Sequence, residues 1–326
     1  MIRSMYSGIS GLKNFQTKLD VIGNNIANVN TYGFKKGRTI FKDLISQTTS
    51  GASAATGTRG GVNAKQVGLG SQLAAIDTIH SGGSMQSTGN TLDLAISGDG
   101  FFIVADGVGV DNAGAGQFTN PLYTRAGNFY MDNNGYLVNS DGKYVVGVAA
   151  TWNGVSDDVG TEYPNASDVT ADTTVTGNLD TDNTGFTPDG KPVTSTTGTI
   201  EYTPIRIPTN AQSMSVGQDG TVSFVDSEGT LKWAGQLVLS KFPNPGGLAK
   251  AGSNYFQQTA NSGSPFNQTA TNEGMGSVNS GFLEMSNVDL SEEFTDMIVA
   301  QRGFQANTRI ITTSDQILEE LVNLKR

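Results

Sequence analysis

The sequence contains no cysteine and only one histidine, His80. Disulfides, thiol catalysis and thiolate metal sites are therefore excluded. Most zinc sites and a Ser-His-Asp arrangement would both depend on His80. This residue stands in "AIDTIHSGG" with no nucleophile motif nearby, so we expect it to be a packed or surface residue. We accordingly expect no enzyme, no catalytic residue, no metal site and no cofactor.

Charge and long apolar runs are also scarce. Charged residues make up 15% of the chain, and the formal net charge is −10. Nucleic-acid binding needs a basic face that displaces counterions from phosphates, so a nucleic-acid partner is excluded. We find no run of 18 apolar residues, so no membrane span is expected. The N-terminus "MIRSMYSGISGLKNF" has no uninterrupted apolar segment or cleavage site of the kind found in a secretory signal.

Two short stretches imitate ligand-binding loops. Residues 185–191, "GFTPDGK", have the spacing of a phosphate-binding loop, but Pro192 stands where a hydroxyl residue should follow. Residues 180–191, "DTDNTGFTPDGK", begin like a calcium loop, but Lys191 replaces the closing glutamate. We interpret both as turns, with a weak calcium site as the less favoured alternative for the second.

Both ends of the chain show helical periodicity. Between Ile2 and Val29, apolar residues recur at intervals of three and four, close to a heptad pattern. A second stripe runs from Leu290 to Leu324, and Asp289 with Glu292 predicts its N-cap; Ser286 with Asp289 is the other possible start. Two long amphipathic helices are therefore predicted, and each needs a partner for its apolar face.

Between the helices the period changes to two. Gly-Asp-Gly, Asn-Gly and Asp-Gly turns separate short apolar strands, as in "TLDLAISGDGFFIV", which predicts β-hairpins in a sandwich or partly open barrel. The predicted fold class is α+β, mainly β, with the terminal helices paired as a coiled coil. The predicted segments are an N-terminal helix (1–33), an extended arm or linker (34–75), a central β domain (76–150 plus 200–282), a small exposed β insertion (151–199) and a C-terminal helix (283–326).

The first helix is unusual because asparagine follows its apolar face, in "DVIGNNIANVNTYGFKK", residues 20–36. Asparagine amides compete with helical hydrogen bonds. One interpretation is a fraying last turn that Gly33 ends. The other is a helix buried among neighbouring helices or copies of itself, where paired amides satisfy one another and charge would be costly. We favour the second interpretation.

The segments "LDVIGNNIANVNTYGFKK" (19–36) and "FLEMSNVDLSEEFTDMIVAQRGFQANTRIITTSDQILEELVNLKR" (282–326) resemble the terminal signatures of the bacterial flagellar axial proteins, the family of rod and hook subunits. The resemblance covers most of the chain outside 151–199. It implies a self-assembling structural subunit whose terminal helices form the inner layer of a hollow tube. It also implies export through the flagellar type III apparatus without a cleaved signal, and an extracellular location in the basal body or hook of the flagellum.

Within the family, the closing "ITTSDQILEELVNLKR" is more similar to hook than to distal rod subunits, so a bendable, torque-transmitting hook subunit is expected, with a distal rod subunit as the alternative. The implied partners are copies of the same chain, the flagellar rod, the hook cap and hook–filament junction proteins, and the export apparatus. Alternatives from other classes are a secreted monomeric binding or adhesive β protein and a carboxylate-based hydrolase, for which no acidic pair can be singled out.

We expect the apolar stripes to form the inner packing of the assembly and the amide-rich segment to contact neighbouring subunits. The predicted packing residues are Leu12, Leu19, Ile22, Ile26, Phe294, Met297, Ile298, Leu318 and Leu321. The predicted polar contacts are Asn24, Asn25, Asn28 and Thr31.

Overall fold

The computed structural model describes residues 2–108, 117–149, 184–186, 192–194 and 202–324. The predicted insertion at 151–199 therefore lies outside the described residues, apart from two three-residue strands. The stretches that imitate a phosphate-binding loop and a calcium loop fall mostly in the same undescribed part.

The described chain is mainly β with one long helix near each end, as predicted. The helices are α1, Ile2–Ala27, and α2, Leu290–Asn323. The strands are β1 Gly37–Asp43, β2 Ser46–Ser50, β3 Lys65–Gly68, β4 Ser71–Thr78, β5 Met85–Ser87, β6 Leu94–Ser97, β7 Phe101–Val108, β8 Gln117–Thr124, β9 Tyr130–Met131, β10 Leu137–Val138, β11 Tyr144–Ala149, β12 Thr184–Phe186, β13 Pro192–Thr194, β14 Thr203–Pro204, β15 Ser213–Val216, β16 Thr221–Val225, β17 Leu231–Lys241, β18 Ala249–Gly252, β19 Tyr255–Gln257, β20 Phe266–Thr269, β21 Ser277–Ser280 and β22 Phe282–Glu284.

The chain divides into two compact units. The first, which we call the helical unit, comprises Met1–Val29, Lys35–Ile79 and Val288–Arg326. It contains both helices and two antiparallel strand pairs, β1 with β4 and β2 with β3. Side-chain burial alternates along the first five residues of β1, which is the period expected of a strand with one covered face. About half of the segment predicted as an extended arm, residues 34–75, therefore lies in paired strands.

The second unit, which we call the β unit, comprises Asn30–Phe34 and His80–Asn287. Twelve of its described strands form one sheet, whose main path runs β15-β16-β17-β11-β7-β8-β19-β18. Two further strand pairs, β6 with β21 and β5 with β22, join the first and last parts of the unit. The predicted sandwich or barrel closure stays a prediction.

Both faces of the large sheet are covered by apolar side chains. Phe102 and Val104 of β7 enter one buried cluster, whereas Phe101 and Ile103 enter a second. This division follows from the alternation of side chains along a strand. Leu239 of the central strand β17 is fully buried in the first cluster.

The helix termini differ in how well the sequence predicts them. Asp289 caps α2 as expected, because its carboxylate accepts hydrogen bonds from the backbone N–H groups of Ser291 at 2.8 Å and Glu292 at 3.4 Å. The first helix ends at Ala27, well before Gly33. Gly33 belongs to the β unit and has a φ of +69°. No helix in the described part of the chain is long and apolar enough to span a lipid bilayer.

Candidate assembly surface

The helices α1 and α2 pack against each other in antiparallel directions. Gly8 lies beside Ile311 and Gly11 lies beside Asn307, whereas Phe15, further along α1, lies beside Gly303. Residue numbers therefore rise along one helix as they fall along the other. The contact between Lys18 Nζ and Asp296 Oδ2, at 3.1 Å, continues this order. Whether the pair supercoils into a coiled coil stays a prediction.

Glycine permits a close approach of the two helices. A Cβ atom at Gly303 would lie 2.5 Å from Cζ of Phe15, and one at Gly11 would lie 2.7 Å from Nδ2 of Asn307. Each helical glycine costs about 1 kcal/mol relative to alanine, and the packing of Phe15 and Asn307 into these spaces offsets that cost. Gly23 differs, because a Cβ atom there would meet nothing within 4 Å.

Asn25 is the buried member of the asparagine group, with 1% of its surface exposed. Its Nδ2 donates to the carbonyl oxygen of Gly37 at 2.9 Å, and its Oδ1 accepts from the N–H of Gly37 at 2.9 Å. The same Nδ2 lies 3.2 Å from both carboxylate oxygens of Glu293. The amide thus connects α1, the start of β1 and the first turn of α2 within one chain.

Glu293 is a buried carboxyl group at this junction. Burial raises its pKa above the ordinary value, while the hydrogen bond from Asn25 and the charge of Lys36 lower it to a smaller extent. Lys36 itself forms an ion pair with the neighbouring Glu292, with 2.7 Å between Nζ and Oε2. The junction therefore contains one solvated carboxylate and one that is costly to ionise.

The other predicted polar contacts have different surroundings. Asn28 donates to the backbone carbonyl of Asn24 at 2.9 Å and to the Asn24 side chain at 3.1 Å. Both bonds are local and lie at the end of α1. Thr31 is half-buried in the β unit. Their role between subunits stays a prediction, whereas Asn25 is already bonded within its own chain.

Helix α2 leaves much of its apolar surface exposed. Only Glu293, Ala300 and Ser314 are buried along its 34 residues. Five exposed apolar residues lie on one face because their spacings of eleven, seven, four and three approximate whole helical turns. We call these five the outer stripe: Val299, Ile310, Ile317, Leu321 and Leu324. Phe294 and Ile298 form a second exposed pair, 50% and 58% accessible and one turn apart.

The predicted packing residues thus separate into three groups. Ile22 is buried within the chain. The half-buried residues are Leu12, Leu19, Ile26, Met297 and Leu318. The exposed residues are Phe294, Ile298 and Leu321. Sequence reasoning missed Gly303, Asn307 and Glu293, although a glycine within an otherwise strong helical pattern was an available signal.

The β unit holds a buried ion pair that the sequence did not reveal. Arg125 Nη1 lies 3.3 Å from Glu284 Oε2, and both side chains are at most 5% exposed. The guanidinium also donates to the carbonyl of Gly98 at 2.8 Å, and Glu284 Oε1 accepts from the N–H of Gly83 at 2.9 Å. These additional bonds offset part of the cost of burying the charge pair, although Nε of Arg125 is buried without a hydrogen-bond partner among the described residues.

Gly33 packs directly on this pair. Its N–H donates to the backbone carbonyl of Glu284 at 2.8 Å. A Cβ atom on Gly33 would lie 2.6 Å from the backbone nitrogen of Ala126 and 2.7 Å from the carbonyl carbon of Arg125. The glycine of the "NTYGFKK" segment is therefore required by its positive φ and by this close backbone contact, and not by a helix end.

The described residues contain no group of three or more His, Cys, Asp or Glu side chains that could hold a metal ion.

Three family models match the chain. They describe the flagella basal body rod protein (residues 5–35), the flagellar hook protein FlgE/F/G D1 domain (95–224) and the flagellar basal body rod FlgEFG protein C-terminal region (279–324). The first and last of these contain most of α1 and α2. The middle one falls within the β unit and also extends across undescribed residues.

Relatives match over the full length. The chain is 52% identical to the flagellar basal-body rod protein FlgG of Bacillus subtilis over 328 residues, which covers all of both chains. In Borreliella burgdorferi it is 36% identical to the flagellar hook protein FlgE over 452 residues and 35% identical to the rod protein FlgG over 331 residues, again with both chains fully covered. The chain therefore belongs to the family of flagellar basal-body rod and hook proteins.

Proposed function

We propose that the protein is a distal rod subunit of the flagellar basal body. The observation that carries this proposal is the 52% identity to a rod protein over the whole of both chains. The expectation of a hook subunit is not favoured over this alternative. Proteins of this family are structural components that polymerise within the flagellum, and the chain is not an enzyme.

Chain length supports the rod assignment. The alignments to the two rod proteins span 328 and 331 positions, close to the 326 residues of this chain. The alignment to the Borreliella hook protein spans 452 positions, so many hook residues have no counterpart here. The length of this chain is therefore the ordinary length of these rod proteins.

We infer that the outer stripe of α2 is buried between copies. A fully buried Val, Leu or Ile contributes about 1.5–3 kcal/mol. The stripe is partly exposed in the single chain, and at 42% to 82% exposure each of its side chains still has a substantial part of this stabilisation to gain. Asn24, Asn28 and Thr31 remain candidates for neutral contacts with neighbouring subunits, because amides and hydroxyls are less costly to desolvate than charges.

The proposed partners are further copies of this chain and the adjoining rod and hook subunits. The proposed route to the basal body is export through the flagellar type III apparatus. The helix pair of the helical unit is the proposed packing element of the tube.

The test introduces a carboxylate into the outer stripe. Leu321, which is 47% exposed, is replaced in Leu321→Asp, and Gln316→Asp adds the same charge at an exposed position on another face of α2. We expect Leu321→Asp to raise the concentration needed for polymerisation at least about tenfold, which corresponds to about 1.4 kcal/mol. Thermal unfolding of the β unit should not change.

Sedimentation and electron microscopy of concentrated samples provide the measurement. Polymers formed by Leu321→Asp at the parent concentration would contradict the assignment of the stripe, as would an equal defect in Gln316→Asp. Straight tubes support the rod proposal, whereas curved tubes would favour a hook subunit. Ile22→Asp is the weaker test because Ile22 is only 3% exposed, so the substitution would disturb the helix pair itself.

A further inference from the structure

A polar cleft in the β unit is not explained by assembly through the helices. It has a volume of about 240 Å³ and lies where residues 30–32, 124–128, 139–140 and 253–255 meet. None of its eleven lining residues is charged. A ligand with a net charge would find no opposite charge there, so the cleft selects for a neutral ligand.

The lining residues have unused hydrogen-bonding capacity. The side chains of Asn30, Asn128, Ser140 and Ser253 line the cleft and make no hydrogen bond within the part of the chain that the structure describes. Each asparagine amide offers two donors and one acceptor, and each serine hydroxyl both donates and accepts. Four neutral groups that can donate and accept therefore surround one small space.

The walls of the cleft are held in place by bonds within the unit. The Tyr255 hydroxyl donates to Asp141 and accepts from Asn139. The amide of Asn254 donates to the carbonyl of Tyr32 at 3.1 Å, and the carbonyl of Asn254 accepts from the Thr124 hydroxyl at 3.1 Å. A site whose walls are fixed before binding loses little conformational entropy when a ligand enters.

We propose that this cleft binds a single neutral sugar unit. A sugar ring presents adjacent hydroxyl groups that donate and accept, which matches the amides and hydroxyls of Asn30, Asn128, Ser140 and Ser253. Tyr32 and Tyr255 line the same space and offer an apolar ring surface beside a polar group. The volume lies just below the usual range for small-ligand sites, about 300–1,000 Å³, and so suits one ring better than a long chain.

The experiment titrates the full-length isotope-labelled protein, at concentrations below polymerisation, with the monosaccharide N-acetylglucosamine and records amide chemical shifts. We expect millimolar binding, with shifts confined to the residues around the cleft. Asn128→Ala should weaken binding about fivefold to tenfold, the usual effect of losing one hydrogen bond. Asn133→Ala is the matched control, since Asn133 is exposed and lies outside the cleft lining.

A parallel titration with N-acetylalanine methylamide separates sugar binding from general recognition of amides. Binding of N-acetylglucosamine with little response to the blocked amino acid supports the proposal. Equal or tighter binding of the blocked amino acid would overturn it in favour of a peptide site. Absence of localised shifts at about 50 mM N-acetylglucosamine, or equal affinity in Asn128→Ala and the parent, would also overturn it. These outcomes are independent of the polymerisation test.

Discussion

The helical unit and the β unit differ most in how completely each buries its own apolar side chains. In the β unit, Phe102, Leu237 and Leu239 are at most 1% exposed, and two apolar clusters cover the sheet. In the helical unit, Ala300 is the only apolar residue of α2 that is buried. A large exposed apolar surface in a folded chain generally marks an interaction site. The described part of the β unit thus buries its own apolar side chains, whereas we propose that neighbouring copies cover the exposed apolar surface of the helical unit.

Breaking the buried ion pair between Arg125 and Glu284 should have the largest effect on stability. This effect should be confined to the β unit. Arg125→Met removes the cation and leaves Glu284, which is 1% exposed, without its charge partner. We expect a loss of about 3–5 kcal/mol in the free energy of unfolding, because an uncompensated buried charge is costly. Urea unfolding followed by tyrosine and tryptophan fluorescence, which reports mainly on the β unit, would measure it.

Lys143→Met is the matched control for this prediction. The ion pair between Lys143 Nζ and Asp106 Oδ1 has a distance of 2.6 Å, but the Asp106 side chain is 49% exposed. Its removal should cost only about 0–1 kcal/mol. If both variants lost the same small amount, the Arg125–Glu284 pair would not be a specific requirement of the β unit.

Gly33→Ala should cause the next largest loss in the free energy of unfolding. The left-handed backbone alone costs a non-glycine residue about 1–2 kcal/mol, and the added Cβ would overlap the backbone of Arg125 and Ala126. Gly89→Ala separates these two causes, since Gly89 has a similar φ of +72° but open space around its missing Cβ. Chemical unfolding should show a greater loss for Gly33→Ala. Equal losses in the free energy of unfolding would mean that the close contact of Gly33 with the backbone of Arg125 and Ala126 contributes nothing.

The features that the sequence predicts best are local. The two long helices follow from apolar periodicity, the start of α2 follows from the capping carboxylate of Asp289, and the β-hairpins follow from Gly-containing turns. The end of α1 was less predictable. Gly33 looked like a helix terminator, yet its conformation is determined by Arg125 and Glu284, which are distant along the chain.

The assembly surface was only partly predictable for the same reason. Phe294, Met297 and Ile298 belong to one apolar pattern in the sequence, but Met297 is half-buried while Phe294 and Ile298 are exposed. The contact between the two helices is fixed where Gly303, which has no side chain, leaves room for the ring of Phe15. The position of this contact determines which apolar residues of α2 face α1. Such complementarity between two helices leaves no periodic signal in either one.

Two glycine-to-alanine substitutions compare a position where the helices touch, Gly303, with one where they do not, Gly23. Gly303→Ala would place a Cβ 2.5 Å from the Phe15 ring, so we expect a loss of about 1–3 kcal/mol from overpacking. A Cβ atom added at Gly23 would meet open space, so Gly23→Ala should instead stabilise α1 by up to about 1 kcal/mol. Thermal unfolding followed by helical circular dichroism would distinguish them. A stabilising Gly303→Ala would mean that the close helix contact is absent in solution.

The smallest expected effect is the pH dependence contributed by Glu293. Burial raises the pKa of this carboxyl group, so the folded helical unit holds the proton more tightly than the unfolded chain does. The ionised group therefore opposes folding at neutral pH, and this cost disappears as the pH falls through the folded pKa toward the unfolded value. Glu293→Gln keeps an oxygen that can accept from Asn25 but cannot ionise.

We therefore expect Glu293→Gln to melt at a higher temperature than the parent at pH 7, with a difference that shrinks as the pH is lowered toward 4. Helical circular dichroism at several pH values measures this difference directly, and titrations shared by both proteins cancel. Glu320→Gln changes an exposed carboxylate of the same helix and should shift the melting temperature little. The opposite result would be a difference in melting temperature that grows as the pH is lowered. It would mean that the hydrogen bond from Asn25 stabilises the ionised Glu293 carboxylate by more than burial destabilises it.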